Sequence, residues 1–146
     1  MTALAANRAR HQRNIELKRR LAITGVDSDE FYEGALCNYS ASASTVAPAA
    51  DTSGQRFAGV CAKRLSTGSS NTHKVELEWG HSEWFPQSGL AAAQEGKNAV
   101  IGDDNTLTDA AAATNDVPCG MIEELETIDG TAGAWITVGV YAPSNA

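Results

Sequence analysis

The feature that most constrains this chain of 146 residues is a similarity between two stretches about sixty residues apart. Turn-forming, glycine and apolar positions recur in the same order, at an offset of 61 residues that becomes 62 at one point. The corresponding segments are Glu33-Gly34 with Glu95-Gly96, Thr45-Val46 with Thr106-Leu107, Ala49-Ala50 with Ala110-Ala111, and Phe57-Ala58-Gly59-Val60 with Pro118-Cys119-Gly120-Met121. A nearly constant offset across several elements predicts a duplicated module. The alternative is two unrelated hairpins that share turn residues.

Each copy ends in a predicted strand with alternating apolar side chains. The strand of the first copy has Val75, Leu77 and Trp79 on one face, and the offset of 61 pairs these with Ile136, Val138 and Val140. Alternation with a period of two is typical of a half-buried strand in an antiparallel sheet.

We therefore predict a mainly β fold, a compact antiparallel barrel or sandwich made of two similar β-hairpin repeats. The repeats span about residues 31–80 and 95–142, a linker spans residues 81–94, and both repeats belong to a single β domain over residues 25–146. Two halves of this size are each marginal alone, so we expect them to share one core.

Residues 1–24 have a different composition and predict a basic helical arm. Helix-forming residues dominate this segment, and neither glycine nor proline occurs before Gly25. The basic residues expected to contact a neighbouring subunit or another partner are Arg8, Arg10, Arg13, Lys18, Arg19 and Arg20. The arm thus has six basic residues and one acidic residue, whereas the remainder has five basic and seventeen acidic residues. This asymmetry predicts an arm that binds an acidic partner.

Two alternatives for the arm remain open at this point, a solvated terminal helix and nucleic-acid binding through the arginines. The acidic remainder argues against nucleic acid, because counterion release needs a sustained basic surface. The longest apolar runs are far shorter than the roughly 18 residues of a membrane span, so we expect no membrane partner.

The aromatic residues of the linker predict a contact surface. Trp84 and Phe85 lie outside the strand patterns, so we interpret them as exposed anchors at a subunit interface. An alternative is that Trp84 and the loop Ser66–Asn71 bind a glycan or receptor, since aromatic rings stack on sugars.

Residue types that carry catalysis or bind metals are present but scattered, so we predict no enzyme, no catalytic residue, no metal and no cofactor. The histidines His11, His73 and His81 are far apart in the sequence, and no Gly-x-Ser-x-Gly motif occurs. The cysteines Cys37, Cys61 and Cys119 form no Cys-x-x-Cys pair and are interpreted as small buried apolar residues in a reducing compartment.

Two acidic doublets are interpreted structurally. Asp103-Asp104 precedes an asparagine and is expected to form a turn. Glu123-Glu124 falls on a predicted strand, where adjacent side chains point to opposite faces, so no carboxylate pair is expected there.

Short motifs in the second copy resemble the capsid cement or head decoration proteins of tailed bacteriophages. The motifs are Gly96, then Val100-Ile-Gly-Asp-Asp-Asn-Thr-Leu-Thr108, then Val117-Pro-Cys-Gly-Met-Ile-Glu123, then Ala134-Trp-Ile-Thr-Val138. Phe57-Ala-Gly-Val-Cys-Ala62 fits the first half of the same family. The resemblance covers about residues 30–141 and leaves out residues 1–21.

The resemblance implies a structural virion protein rather than an enzyme. Such a protein is made in the host cytoplasm, lies on the exterior of an icosahedral capsid as a homotrimer, and bridges copies of the major capsid protein. A receptor- or glycan-binding protein on the head surface is the alternative function.

Overall fold

The structure is a computed structural model, and it describes residues 3–41, 44–69, 73–109 and 113–143. Ala110-Ala111 and the end of the Ser66–Asn71 loop lie outside this part of the chain. The molecule is mainly β, with 47% strand and 5% helical residues, and its sheets are antiparallel. The strands are β1 Gln12–Arg13, β2 Arg19–Thr24, β3 Glu30–Phe31, β4 Leu36–Tyr39, β5 Val46–Pro48, β6 Arg56–Cys61, β7 Leu65–Ser66, β8 Lys74–Trp79, β9 Ser82–Pro86, β10 Asn98–Ile101, β11 Leu107–Thr108, β12 Pro118–Ile128 and β13 Thr131–Val138.

The strands form two large sheets and one small one. A five-stranded sheet has the order β2-β8-β6-β4-β5, and a six-stranded sheet has the order β1-β9-β13-β12-β10-β11. In the five-stranded sheet, Gly25 after β2 forms an isolated parallel bridge with Val46 of β5. In the six-stranded sheet, Gln87 after β9 forms the same kind of bridge with Leu107 of β11. The sheets do not close into a barrel, so the barrel form of the prediction is wrong.

The two large sheets contain the same pairings in the same order. In β4 and β6, Cys37 pairs with Gly59 and a register shift follows; in β10 and β12, Ala99 pairs with Gly120 and the same shift follows. Backbone hydrogen bonds recur as well, since the N–H of Gly34 donates to Cys61 O and that of Gly96 donates to Ile122 O, both at 2.8 Å. The offsets of 61 and 62 residues therefore describe equivalent positions in space.

The offset changes at the last strand of each half. Leu77 pairs with Cys61, and Ile136 pairs with Ile122, which makes Leu77 and Ile136 equivalent at an offset of 59. The prediction matched Leu77 with Val138, two residues C-terminal to its true counterpart Ile136, and it displaced the counterparts of Val75 and Trp79 by the same amount. A shift of an even number of residues keeps the alternation in phase, so the face assignment survived the error.

Residues 81–94 are not a linker, because they contain the first strand of the second half. β9 pairs with β13 as β2 pairs with β8: Glu83 lies opposite Ile136, and Leu21 lies opposite Leu77. β9 and β2 are thus equivalent at an offset of 62. The first half accordingly begins at β2, inside the segment that was predicted to be an arm.

The predicted N-terminal helix is wrong, because no helix of seven or more residues occurs in the described chain. Residues 3–24 are extended, apart from a 3₁₀ turn at Ile15–Leu17. Helix propensity is a weak preference, and this segment lacks the apolar stripe that would dock a helix on the body. Strand pairing of β1 and β2 with the body, together with buried ion pairs, determines the conformation instead.

The buried apolar residues form two clusters rather than one shared core. One cluster belongs to the first half and includes Phe31, Cys37 and Leu77. The larger cluster belongs mainly to the second half, but Leu36 and Val60 of the first half pack into it. These residues connect the two halves through apolar contact.

Candidate functional site

The N-terminal segment crosses the seam between the two halves and is tied to both. The N–H of Leu4 donates to Asp104 Oδ1 at 2.9 Å, and the N–H of Arg8 donates to Glu33 O at 2.9 Å. Further along, the N–H of Trp84 donates to His11 O at 3.1 Å, and β1 then pairs with β9. The extended segment is therefore part of the fold.

Arg8 is buried and its guanidinium is fully engaged inside the chain. It forms an ion pair with Glu83, donates to Gly34 O at 3.1 Å and to Trp84 O at 3.0 Å, and lies 4.2 Å from the centre of the Phe85 ring. Its side chain is only 8% exposed. Arg8 is thus not available for a capsid contact.

Arg10 connects the two halves through their carboxylates. Its guanidinium contacts Glu83 Oε1 at 2.6 Å in the second half and Glu78 Oε1 at 2.9 Å in the first half. Lys18 and Arg20 also pair with Glu78, at 3.3 Å and 2.9 Å. We name Arg8, Arg10, Glu78, His81 and Glu83 the seam cluster.

The carboxylates of the seam cluster are held in their charged form. Burial raises the pKa of Glu83, but hydrogen bonds from His81 and Arg10 and the charges of Arg8 and Arg10 outweigh it and lower the pKa to about 2. Burial also raises the pKa of Glu78, and its hydrogen bond with Arg10 leads the contributions that bring the net pKa below the ordinary value.

His81 orients Glu83 from within the second half. Its Nε2 lies 2.8 Å from Glu83 Oε1, and because an ionised carboxylate only accepts hydrogen bonds, Nε2 carries the hydrogen. The Nδ1 atom is buried and has no hydrogen-bonding partner among the described residues. The imidazole therefore serves as one more donor to Glu83.

Arg13 forms a second, more exposed group of contacts. Its guanidinium lies 3.8 Å from the centre of the Trp135 ring and contacts Glu124 at 2.7 Å and Glu123 at 3.3 Å. A register shift between Ile122 and Glu124 puts both carboxylates within reach of one arginine. The expectation that these adjacent acids point apart is wrong, because it assumed a regular strand without a bulge.

The predicted interface anchors Trp84 and Phe85 are buried within the chain. Trp84 is 6% exposed, its ring lies over Gly133, and its Nε1 donates to Glu126 O at 2.8 Å. Phe85 is fully buried in the larger core cluster. Both lie on β9, whose pattern was hidden because a strand buried on both faces has no clean alternation. Trp84 also offers no exposed ring to a sugar.

The exposed apolar side chains are concentrated around the start of β2. Ile15 is 61% exposed, Leu17 60% and Leu21 43%, and they lie next to the exposed Arg19 and Arg20. We name these five residues the β2 strip. Exposed apolar side chains close together in the chain make the β2 strip a candidate contact surface. Val140 and Tyr141 are the other large exposed apolar residues of the described chain.

The remaining polar residues that were singled out have structural roles. Asp103 Oδ1 accepts hydrogen bonds from the N–H groups of Asn105 and Thr106, both at 2.8 Å, which confirms the predicted turn. Cys37, Cys61 and Cys119 are buried and unpaired, as expected. Burial raises the pKa of the Cys61 thiol to about 11. Across the four described ranges, no three metal-ligating side chains converge, and no helix is long and apolar enough to span a membrane.

Sequence reasoning missed Glu78 and Glu83 as partners of the arginines. One signal was available: Glu83 stands between Ser82 and the pair Trp84-Phe85, and a carboxylate in such an apolar run needs a cation. The arm holds most of the basic residues of the chain. The acidic partner of the arm is thus the body of the same chain.

No family model and no curated protein sequence matches the chain.

Proposed function

We propose that this protein is a structural component of a phage virion. It decorates the outside of an icosahedral capsid as a homotrimer and stabilises the shell by bridging copies of the major capsid protein. The observation that carries the proposal is the set of motifs between Gly96 and Val138 that resemble head decoration proteins.

The residues of these motifs support a scaffold rather than a reactive centre. Asp103 closes a turn, and Gly120 lies so close to Thr137 O that an added Cβ would be 2.3 Å away. Trp135 packs against Arg13 and donates from Nε1 to Glu126 Oε2 at 2.8 Å. Each side chain is used to hold strands together, which fits a protein whose activity is to bind and not to react.

The β2 strip supports binding to another protein. Ile15, Leu17 and Leu21 provide apolar area, and Arg19 and Arg20 provide positive charge on a chain with a net charge of −7. Buried apolar contact gives affinity, and charge around it gives orientation and selectivity. The contact predicted for the arm is therefore assigned to Arg19 and Arg20, while Arg8 and Arg10 hold the fold together.

The proposed mechanism is mass action on the assembled shell. A protein that binds the assembled lattice and not its separated subunits stabilises the lattice. A trimer that engages several capsid subunits at once gains from effective concentration, so a weak contact at each strip is sufficient.

Binding to heads tests the function. Heads of the phage or prophage that carries the gene, prepared without this protein, are mixed with the purified full chain and sedimented. We expect saturable binding at a fixed ratio to the major capsid protein, and a higher temperature for the release of DNA. Heads that sediment without the protein at all concentrations would contradict the proposal.

A pair of variants locates the contact within the same assay. Leu17→Asp places a charge in the β2 strip, whereas Val140→Asp places the same charge on another exposed apolar residue. We expect Leu17→Asp to lower head binding at least about tenfold, which corresponds to 1.4 kcal/mol, and Val140→Asp to leave it unchanged. Equal binding by both variants removes the strip from the contact but leaves the function standing.

A further inference from the structure

The outer edge of β2 is unpaired over most of its length within the described residues. β2 is the first strand of the five-stranded sheet, and β8 covers its other edge. The N–H of Gly25 donates to His73 O at 3.0 Å, which fixes the alternation along this antiparallel pair. The N–H and C=O groups of Arg20, Ala22 and Thr24 therefore point away from β8. Within the described residues no strand pairs with Arg20 or Ala22, whereas the C-terminal end of this edge meets β5 at the bridge between Gly25 and Val46.

The equivalent edge in the other half of the molecule is covered. β9 corresponds to β2, and its outer edge pairs with β1. Trp84, the counterpart of Ala22 at an offset of 62, donates its N–H to His11 O at 3.1 Å. The molecule thus shows that this type of edge accepts an additional antiparallel strand, and it leaves the second such edge unoccupied within the described residues.

The side chains around the β2 edge define what would fit there. Arg20 is 67% exposed although it pairs with Glu78, and Arg19 lies beside it. The backbone N–H and C=O of Leu21 face β8, whereas its side chain is 43% exposed. Ile15 and Leu17 add further exposed apolar side chains nearby in the chain. Because adjacent side chains of a strand point to opposite faces, an added strand with a carboxylate opposite Arg20 and an apolar side chain opposite Leu21 would match the charge of one face and the hydrophobicity of the other.

A second copy of the chain does not meet these requirements at the same edge. Two β2 edges paired with each other would bring Arg19 and Arg20 of both copies onto one short ribbon. Like charges on neighbouring strands are destabilising, and basic residues on an edge strand discourage such pairing. The charge of the edge favours a different, acidic chain.

We infer that the outer edge of β2 binds an extended, acidic segment of a partner protein by strand addition. Main-chain hydrogen bonds with Arg20 and Ala22 provide the affinity, and Arg20 and Leu21, on opposite faces of the strand, select alternating carboxylate and apolar side chains. The inference goes beyond capsid decoration, because it holds for any partner with such a segment.

Amide hydrogen exchange on the full chain tests this inference with a defined probe. The probe is the blocked peptide Thr-Glu-Val-Glu-Val-Thr, and the comparison peptide has lysine in place of both glutamates. At saturation, the acidic peptide is expected to slow exchange of the Arg20 and Ala22 amides about tenfold or more. The Trp84 amide, already bonded to His11, should not change, and the lysine peptide should have no effect.

Two variants separate strand addition from other binding. Ala22→Pro removes an outward N–H without removing a bond to β8, and Ala22→Thr keeps the N–H. We expect Ala22→Pro to abolish peptide binding and Ala22→Thr to retain it. Should the proline variant fail to fold, the exchange measurement on the unaltered protein still decides.

Three results would overturn the inference. The first is unchanged exchange at Arg20 and Ala22 with the acidic peptide, and the second is equal protection by the lysine peptide. The third is slower exchange at these amides on raising the protein concentration without peptide, since that would show a second copy on the edge. None of these results depends on heads, so they leave the test of capsid decoration independent.

Discussion

Arg10 holds the two halves of the molecule together at the scale of single residues. It contacts Glu83 in one half and Glu78 in the other, and both carboxylates are almost fully buried. Buried charges are tolerated only when they are paired, so each of these side chains depends on the others. The seam cluster explains why a basic segment folds onto an acidic body.

The loss of Glu83 should therefore destabilise the protein strongly. Glu83→Gln leaves Arg8 and Arg10 buried without their shared carboxylate, and we expect a loss of about 3–5 kcal/mol in the free energy of unfolding. Glu124→Gln is the matched control, because Glu124 pairs with Arg13 at the surface and should contribute less than about 1 kcal/mol. Urea unfolding measures both, and equal losses would contradict the role of the seam cluster.

The same carboxylate predicts a pH dependence with a definite sign. The pKa of Glu83 in the folded protein is about 2, below its ordinary 4.5, so its contribution is present above pH 4.5 and is lost as the pH falls toward 2. The difference in unfolding free energy between the wild type and Glu83→Gln should shrink over this range, because a protonated Glu83 resembles glutamine. A difference that stays constant from neutral pH to about pH 3 would contradict this prediction.

At the scale of elements, the structure repeats one arrangement of strands twice. β2, β4, β5, β6 and β8 correspond to β9, β10, β11, β12 and β13, with matching register shifts and hydrogen bonds. Gly59 and Gly120 mark equivalent points where two strands approach closely, since an added Cβ would lie 3.0 Å from Glu78 O or 2.3 Å from Thr137 O.

Alanine at Gly120 should consequently be poorly tolerated. The added methyl group meets backbone, which cannot move aside like a flexible side chain, and we expect a loss of roughly 3 kcal/mol in unfolding free energy. Gly96→Ala is the control for backbone strain alone, because Gly96 has a φ of +85° and open space around it, and should lose about 1–2 kcal/mol. Thermal unfolding compares the two, and a smaller loss at Gly120 would argue against the close approach.

The strands with visible alternation could be predicted from the sequence, and the others could not. β8 and β13 show a period of two, and turn residues such as Asp103 mark the connections. β9 is buried on both faces and has no alternation, so its sequence does not distinguish it from a linker. β2 contains helix-forming residues, and its conformation follows from pairing with β8, a contact between residues fifty to sixty positions apart.

The sequence predicted the basic residues of the candidate site but not the positions of their acidic partners. The charge asymmetry indicated that the arginines needed acidic partners, but the sequence did not show whether these lay in another chain or in the same one. Folding decides this through Arg10, whose partners Glu78 and Glu83 are close in sequence but belong to opposite halves. The β2 strip is visible only in the structure, where the side chains of Arg8 and Arg10 are buried and Arg19 and Arg20 are exposed.

At the scale of the whole molecule, the charges that tie the chain together are separate from those that face solvent. Arg8 and Arg10 are buried at the seam, whereas Arg19 and Arg20 remain at the surface beside exposed leucines. This division leaves basic and apolar side chains exposed together along β2. Such a body suits the proposed decoration protein, whose partner binds the surface of a fold that is already complete.

We expect removal of the N-terminal segment to affect the stability of the whole molecule. Deletion of residues 1–21 would remove Arg8, Arg10 and half of β2, so we expect the purified variant to lose cooperative thermal unfolding. Double substitution of Arg19 and Arg20 by glutamine should keep a cooperative transition, because neither residue lies in the buried part of the seam. A folded deletion variant would contradict the assignment of this segment to the fold.

Electron cryo-microscopy of heads decorated with the full chain tests the proposed function most directly. We predict ordered density for this protein on the outer surface, with one copy for each major capsid subunit and the β2 strip against a neighbouring chain. Heads with no added density, or with this protein confined to the tail or the interior, would contradict the account.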